Sequence, residues 1–374
     1  MFKKILILSA SVGAGHLRAA DALEKAFKKL DAAAEVKNID VLNYTNPLFR
    51  RLYGKAYLDM VNTMPEVLGW MYDSLDKPWQ NEKRRLALDR LNTQPFIKLL
   101  KTEKPDIAVC THFLPAEIIS WLKSKDKISC PQAIVVTDFD AHALWLCHHY
   151  ERYFVALEET RVHLEKLGIA AEKISVSGIP IDSIFAEQKD KMAMREKYGL
   201  EKDKPVILVS AGGFGVGNIE HLLQALSEMK TPAQVLALCG RNEDLKTNLE
   251  KLVAEKLNNQ TITFKSISYT TAMDELMSAA DLIVGKPGGL TTSEALAKGL
   301  VFVIVNPIPG QEERNSDHLL EKGCAIKCNN LLTLAYKIDK LLENNGRFEQ
   351  MKKNALNFSH PNAAVEIVNR LSSF

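Results

Sequence analysis

The feature that most constrains this chain is a repeated pairing of a short β-branched run with an amphipathic helical stretch. KILILS (4–9), DIAVC (106–110), AIVVT (133–137), RYFVA (152–156) and KISVS (173–177) form a first series. PVILVS (205–210), QVLALC (234–239), ITF (262–264), DLIVG (281–285) and VFVIV (301–305) form a second. Runs this apolar, without alternation, belong to strands buried on both faces, as in a parallel sheet covered by crossover helices. Two such series, separated by a polar helical break around 188–203, imply two doubly wound α/β domains, 1–190 and 191–374. The tail from Asn345 to Phe374 reads as helical, and its return to the first domain is open.

Length supports this division, because 374 residues exceed what one hydrophobic core usually serves. The 48 basic and 46 acidic residues are interleaved, for a net charge of +2, which removes the broad electrostatic basis for nucleic-acid binding. No apolar run approaches the roughly 18 residues of a spanning helix, and the N-terminal run is too short and too β-branched for a signal peptide. A cytoplasmic location is expected. Six cysteines without a CxxC pair read as buried free thiols, and Cys324 and Cys328 lack the companions of a metal site.

The glycine-rich strand-to-helix turns carry the chemistry. In SVGAGH, Gly13 and Gly15 permit close backbone approach, and His16 stands at the mouth as either a base for an acceptor hydroxyl or a plain helix cap. The third glycine of a dinucleotide fingerprint is missing, which disfavours a nicotinamide cofactor. A second turn, SAGGFGVGN, places Gly212, Gly213 and Phe214 where backbone N–H groups suit a diphosphate. The third, GKPGGLTTSEAL, turns at Pro287, Gly288 and Gly289 into a helix whose first turns hold Thr291, Thr292 and Ser293. Such a helix start suits two phosphates, Lys286 adds charge, and Glu294 is set to accept from ribose hydroxyls. The order GK[ST] of a P-loop is absent. PIPGQEERN brings Gln311 and Glu312 to the same edge, as sugar contacts or as a charged helix start.

Between Tyr44 and Lys101 the βα rhythm gives way to a helical insertion with ten basic and six acidic residues and eight of the chain's aromatics. Phe49, Arg50, Arg51, Tyr53, Trp70, Trp79, Arg84 and Arg85 combine rings suited to lipid headgroups with cations suited to anionic lipid. Peripheral attachment to an anionic membrane surface is the expectation; the alternative is the core of a helical subdomain.

Together, SVGAGH, VTDFDAHALW (136–145), SAGGFGVGN, CGRN (239–242), GKPGGLTTSEAL and PGQEERN resemble the monogalactosyl- and glucosyl-diacylglycerol synthases of glycosyltransferase family 28. The resemblance implies a GT-B fold: two Rossmann-like domains facing a cleft, an N-terminal acceptor and membrane domain, and a C-terminal donor domain. It implies an inverting transfer of glucose or galactose from a UDP-sugar to a lipid acceptor at the inner face of the membrane, with no cofactor and no bound metal. His16 then matches the catalytic or acceptor-positioning histidine. Gly212, Gly213, Arg241, Lys286, Gly288, Gly289, Thr291 and Glu294 match donor contacts, and Gln311 and Glu312 match contacts to the transferred sugar. Asp138, Asp140 and His142 form a DxDxH, but it follows an N-domain strand, so Asp138 reads as an active-site wall or a cap. Competing readings are a UDP-N-acetylglucosamine transferase or epimerase of the same fold, and a silent nucleotide-sugar sensor.

Overall fold

A computed structural model describes residues 2–80, 82–210, 219–257 and 261–373; within its helices the side chains of 55–58, 62, 82–85 and 88 lie outside the description. The chain divides into two compact units. The first comprises Met1–Ser183, Pro309–Arg314 and His360–Phe374, and the second Ile184–Ile308 and Asn315–Ser359.

The first unit is built on six parallel strands: β1 (Lys4–Ser9), β2 (Glu35–Asp40), β3 (Ile107–Cys110), β4 (Gln132–Val135), β5 (Arg152–Val155) and β6 (Ile174–Val176). They lie in the order β2-β1-β3-β4-β5-β6. Its helices are α1 (Ala14–Leu30), α2 (Pro47–Thr63), α3 (Pro65–Leu75), α4 (Glu82–Asn92), α5 (Gln94–Glu103), α6 (Phe113–Lys123) and α7 (Glu158–Lys166). Helices α2 to α5 are the insertion. One sheet face packs Leu6, Leu8, Cys110 and Ile134 against α5 and α6. The other packs Ile5, Ile7, Val109 and Phe154 under α1.

The second unit repeats the plan with β7 (Val206–Ser210), β8 (Ala233–Gly240), β9 (Ile262–Ser268), β10 (Leu282–Gly285), β11 (Val301–Val305) and β12 (Ala325–Cys328). These are also all parallel, in the order β12-β11-β10-β7-β8-β9. Its helices are α8 (Lys191–Lys197), α9 (Ile219–Leu226), α10 (Glu243–Leu252), α11 (Met273–Ala279), α12 (Gly289–Ala297), α13 (Gln311–Glu321), α14 (Leu334–Glu343) and α15 (Asn345–Phe358). The first turn of α13 is grouped with the first unit. The final helix, α16 (Ala363–Ser372), also belongs to the first unit, where Ile367, Val368 and Leu371 share a core with Leu23 and Phe27 of α1.

Two strands, β2 and β12, have no counterpart among the expected runs. Both lie at a sheet edge, and their sequences, EVKNID and AIKC, are partly polar because an edge strand need not be buried on every side. All six cysteines are buried free thiols.

Candidate active site

In a doubly wound sheet, ligands bind beyond the carboxyl ends of the two neighbouring strands whose connections leave in opposite directions. In the first unit those strands are β1 and β3. The first turn of α1, which follows β1, carries His16, and the turn after β3 carries Thr111 and His112. His16 Nδ1 lies 3.0 Å from the Thr111 carbonyl oxygen and 2.8 Å from Thr137 Oγ1. A carbonyl only accepts, so Nδ1 bears the ring proton and Nε2 keeps its lone pair. Thr111 Oγ1 donates to the His16 carbonyl at 3.0 Å, so backbone and ring are both tied to β3. Burial pushes the imidazole down to about 4, against the opposing pull of the Thr111 bond, and the ring is therefore neutral near pH 7.

The helix-cap reading of His16 does not hold. Helix α1 starts at Ala14, its cap position is Gly13 at φ 92°, a conformation glycine adopts without strain, and no side chain caps it. Gly15 lies within the first turn. Thr111 and Thr137 escape sequence reasoning because an isolated threonine after a strand carries no pattern of its own.

Asp138 is buried just beyond β4, and both of its carboxylate oxygens accept from the Gln311 amide nitrogen at 3.0 Å. Two residues singled out from separate motifs are thus brought together. Helix α3 holds the same segment: Arg314 Nη1 lies 2.7 Å from Asp76 Oδ2, and its guanidinium carbon lies 5.2 Å from the centre of the Tyr72 ring. Burial, and then the Asp138 carboxylate, push the Tyr72 phenol above its ordinary value. Gln311→Leu removes that amide from a buried carboxylate and is expected to cost about 1–3 kcal/mol. A urea midpoint equal to wild type would show that the bond is idle.

His142, the histidine of the DxDxH pattern, is a structural cap. Its Nδ1 accepts from Leu144 N–H at 3.1 Å and its Nε2–H donates to the Tyr72 carbonyl at 2.9 Å, so both ring nitrogens are used. Among the described residues no cluster of three or more His, Cys, Asp or Glu has the arrangement of a metal site.

In the second unit the corresponding strands are β7 and β10, and their last residues, Ser210 and Gly285, are paired in register. Gly212, Gly213 and Phe214, in the turn after β7, lie outside the described residues. Lys286, Pro287 and Gly288 follow β10, with Gly288 at the cap of α12 and Gly289 its first residue. The Pro287 carbonyl accepts from Asn315 Nδ2 at 3.1 Å, which fixes the turn. Of the three hydroxyl residues, Thr292 is wholly buried and Ser293 Oγ donates back to the Gly289 carbonyl at 2.9 Å, leaving the half-buried Thr291 as the one reachable hydroxyl. The expectation of a three-hydroxyl surface is corrected to one hydroxyl, because a helix start packed on its sheet turns two of three successive side chains inward. Glu294 is also buried on α12. Arg241 follows β8, exposed, with its guanidinium carbon 4.7 Å above the centre of the Tyr269 ring. Glu312 is half-buried in the first turn of α13.

The insertion separates the residues grouped as membrane contacts. Phe49 and Tyr53 stack on each other with ring centres 5.1 Å apart and are partly buried, packed against the core. Trp79 is pinned: its Nε1–H donates to the Leu167 carbonyl at 3.0 Å and its ring stacks on His148. Arg50 and Arg51 are exposed, while the side chains of Arg84 and Arg85 lie outside the described residues. Trp70 is 70% exposed, and further exposed apolar residues are Leu48 and Leu52 on α2 and Val67, Met71 and Leu75 on α3. Their i, i+4 spacing puts each set on one helix face, the signal that an inventory of aromatics and cations misses. No helix among the described residues is long and apolar enough to cross a membrane.

Comparison with known proteins agrees with this geometry. Residues 16–181 match the family model of monogalactosyldiacylglycerol (MGDG) synthase, and residues 190–358 that of glycosyl transferases group 1. The chain is 30% identical over 370 residues to a processive diacylglycerol beta-glucosyltransferase of Bacillus licheniformis, covering 98% of this chain and 94% of that one. The fold resembles that of Acinetobacter baumannii MurG, with a TM-score of 0.62 at 16% identity over 99% of both chains. It also resembles Anabaena HepE in complex with UDP, with a TM-score of 0.59 at 16% identity over 99% and 100% of the two chains. With two doubly wound units, a neutral histidine at the first switch point and a full-length relative of this kind, the chain belongs to the monogalactosyl- and glucosyl-diacylglycerol synthase family and is a glycosyltransferase of the GT-B fold.

Proposed function

We propose that this chain transfers a hexose, glucose by preference, from a UDP-sugar to the free hydroxyl of diacylglycerol, with inversion at the anomeric carbon. The observation that carries the reading is the His16 imidazole, neutral and protonated on Nδ1, with Nε2 as its basic atom at a ligand-binding edge. His16 Nε2 takes the proton of the acceptor hydroxyl as its oxygen bonds to the anomeric carbon. The bond from that carbon to the phosphate oxygen breaks, and UDP leaves with the electron pair. One such displacement inverts the centre.

In this reading the second unit holds the donor. The backbone N–H of Gly289, presented by the turn at Gly288, with Lys286, Arg241 and Thr291, offsets the charge that grows on UDP. Gly212, Gly213 and Phe214 complete that grip, and Glu294 receives the ribose hydroxyls. Pro287 shapes the turn, and Thr292 serves it through its backbone. Gln311 and Glu312 hold the hexose, and Asp138 orients the Gln311 amide. The name of the Bacillus licheniformis relative supports both the diacylglycerol acceptor and glucose as the sugar. UDP in the HepE structure fits a donor of this class on this fold.

The exposed apolar residues of α2 and α3, beside Arg50 and Arg51, support peripheral attachment at the cytoplasmic face of a membrane. Leu48→Glu with Leu52→Glu and Trp70→Glu is expected to weaken binding to vesicles containing anionic lipid at least tenfold, since each buried apolar side chain contributes about 1.5–3 kcal/mol. Cosedimentation equal to wild type would remove the membrane claim. For the reaction itself, the protein is incubated with diacylglycerol vesicles and UDP-glucose, UDP-galactose or UDP-N-acetylglucosamine, and the lipid is analysed by mass. Hexosyl-diacylglycerol is expected from UDP-glucose; its absence with all three donors defeats the proposal.

A further inference from the structure

His112 belongs to none of the sequence motifs, yet it stands at the switch point that holds His16. It follows β3, whose carboxyl end adjoins that of β1, and its ring centre is 4.8 Å from that of His16, with the planes 84° apart. The two imidazoles are locked in opposite tautomers. Leu114 N–H donates to His112 Nδ1 at 3.1 Å, capping α6, so the lone pair is on Nδ1 and the ring proton on Nε2. In His16 the Thr111 carbonyl fixes the proton on Nδ1 and leaves the lone pair on Nε2. His112 is 1% exposed, and burial, aided by His16, keeps it neutral. The ring's hydrogen bond to a described residue runs through Nδ1, which leaves the Nε2–H as a donor available beside His16.

We propose that His112 Nε2–H donates a hydrogen bond to the acceptor oxygen adjacent to the reacting hydroxyl, so that the two histidines read a vicinal pair of oxygens. His16 takes a proton from one oxygen; His112 offers a hydrogen to its neighbour and transfers nothing. A glycerol diester meets this requirement, with a free hydroxyl beside an ester oxygen, and so does a hydroxymethyl group beside a sugar ring oxygen. A simple fatty alcohol presents the first oxygen without the second. His112 is thus a residue that sets acceptor specificity, and this inference rests on the reading of His16 as the base.

The test uses His112→Asn in the full chain. An asparagine oxygen still accepts from Leu114 N–H and preserves the cap, while the distal N–H is lost. With UDP present, calorimetric binding of dioctanoylglycerol is expected to weaken roughly three- to tenfold, the effect of one neutral hydrogen bond, while binding of octanol stays at the wild-type level. His112→Gln, which offers a distal N–H at the expense of the cap, is expected to melt lower than wild type and to retain the preference. An unchanged preference in His112→Asn, or its loss in both variants, overturns the proposal and leaves His112 a helix cap. Because binding is read without turnover, failure of His16 as the base appears separately, as retained transfer in His16→Ala.

Discussion

Replacing His16 with alanine is expected to lower turnover about 10²–10⁴-fold, the usual contribution of a positioned general base, while UDP binding measured by calorimetry stays at the wild-type level. The split follows from the architecture: His16 belongs to the first unit, whereas the proposed phosphate contacts lie on the turns of the second. Retained turnover would show that His16 is not the base, and a parallel loss of UDP binding would show that it acts on the donor. The pH dependence carries a sign. The ordinary histidine value is 6.5 and the folded value is about 4, so the fold withholds a proton that the unfolded chain accepts. The associated stability is complete above pH 6.5 and is lost as pH falls toward 4. His112 and His360, both lowered by burial, act in the same direction. Urea midpoints at pH 7, 6 and 5 are expected to fall with acidity, with a smaller fall in His16→Phe. Equal slopes in the two proteins would contradict the neutral imidazole.

The second large effect is expected from Gly285→Val. Gly285 ends β10 beside Ser210, the last residue of β7, and a Cβ there would lie 2.7 Å from the Ser210 backbone oxygen. That atom is fixed by the sheet, so the two central strands must part. Overpacking of this kind costs about 1–3 kcal/mol, and here it falls at the root of both turns proposed to hold the donor. The variant is expected to unfold at lower urea and to bind UDP more weakly than wild type under conditions where both are folded. Unchanged UDP binding in the folded variant would dissociate the β7–β10 junction from the proposed donor site.

The alternation of apolar runs and helices is enough to read the doubly wound class, because strands buried on both faces cannot be written in polar residues. EVKNID and AIKC are opaque for the same reason, since each lies at an edge and shares its exposure with solvent. In the candidate site, glycine turns announce themselves by composition. The partners that tune them do not: Thr111, Thr137 and Tyr72 act through contacts between residues far apart in sequence. The insertion is legible as helices rich in rings and cations. Composition cannot distinguish Phe49, which faces the core, from Trp70, which faces solvent, because orientation is decided by packing between helices.

The return of α16 to the first unit sets an order of events at the ribosome. Helix α1 is synthesised before the second unit, but Ile367, Val368 and Leu371, which pack beside its Leu23 and Phe27, emerge only after it. Until then a nascent first unit displays a greasy stripe on α1, the kind of surface that chaperones bind and that aggregates form from. A fragment ending at Ser183 would keep that stripe permanently.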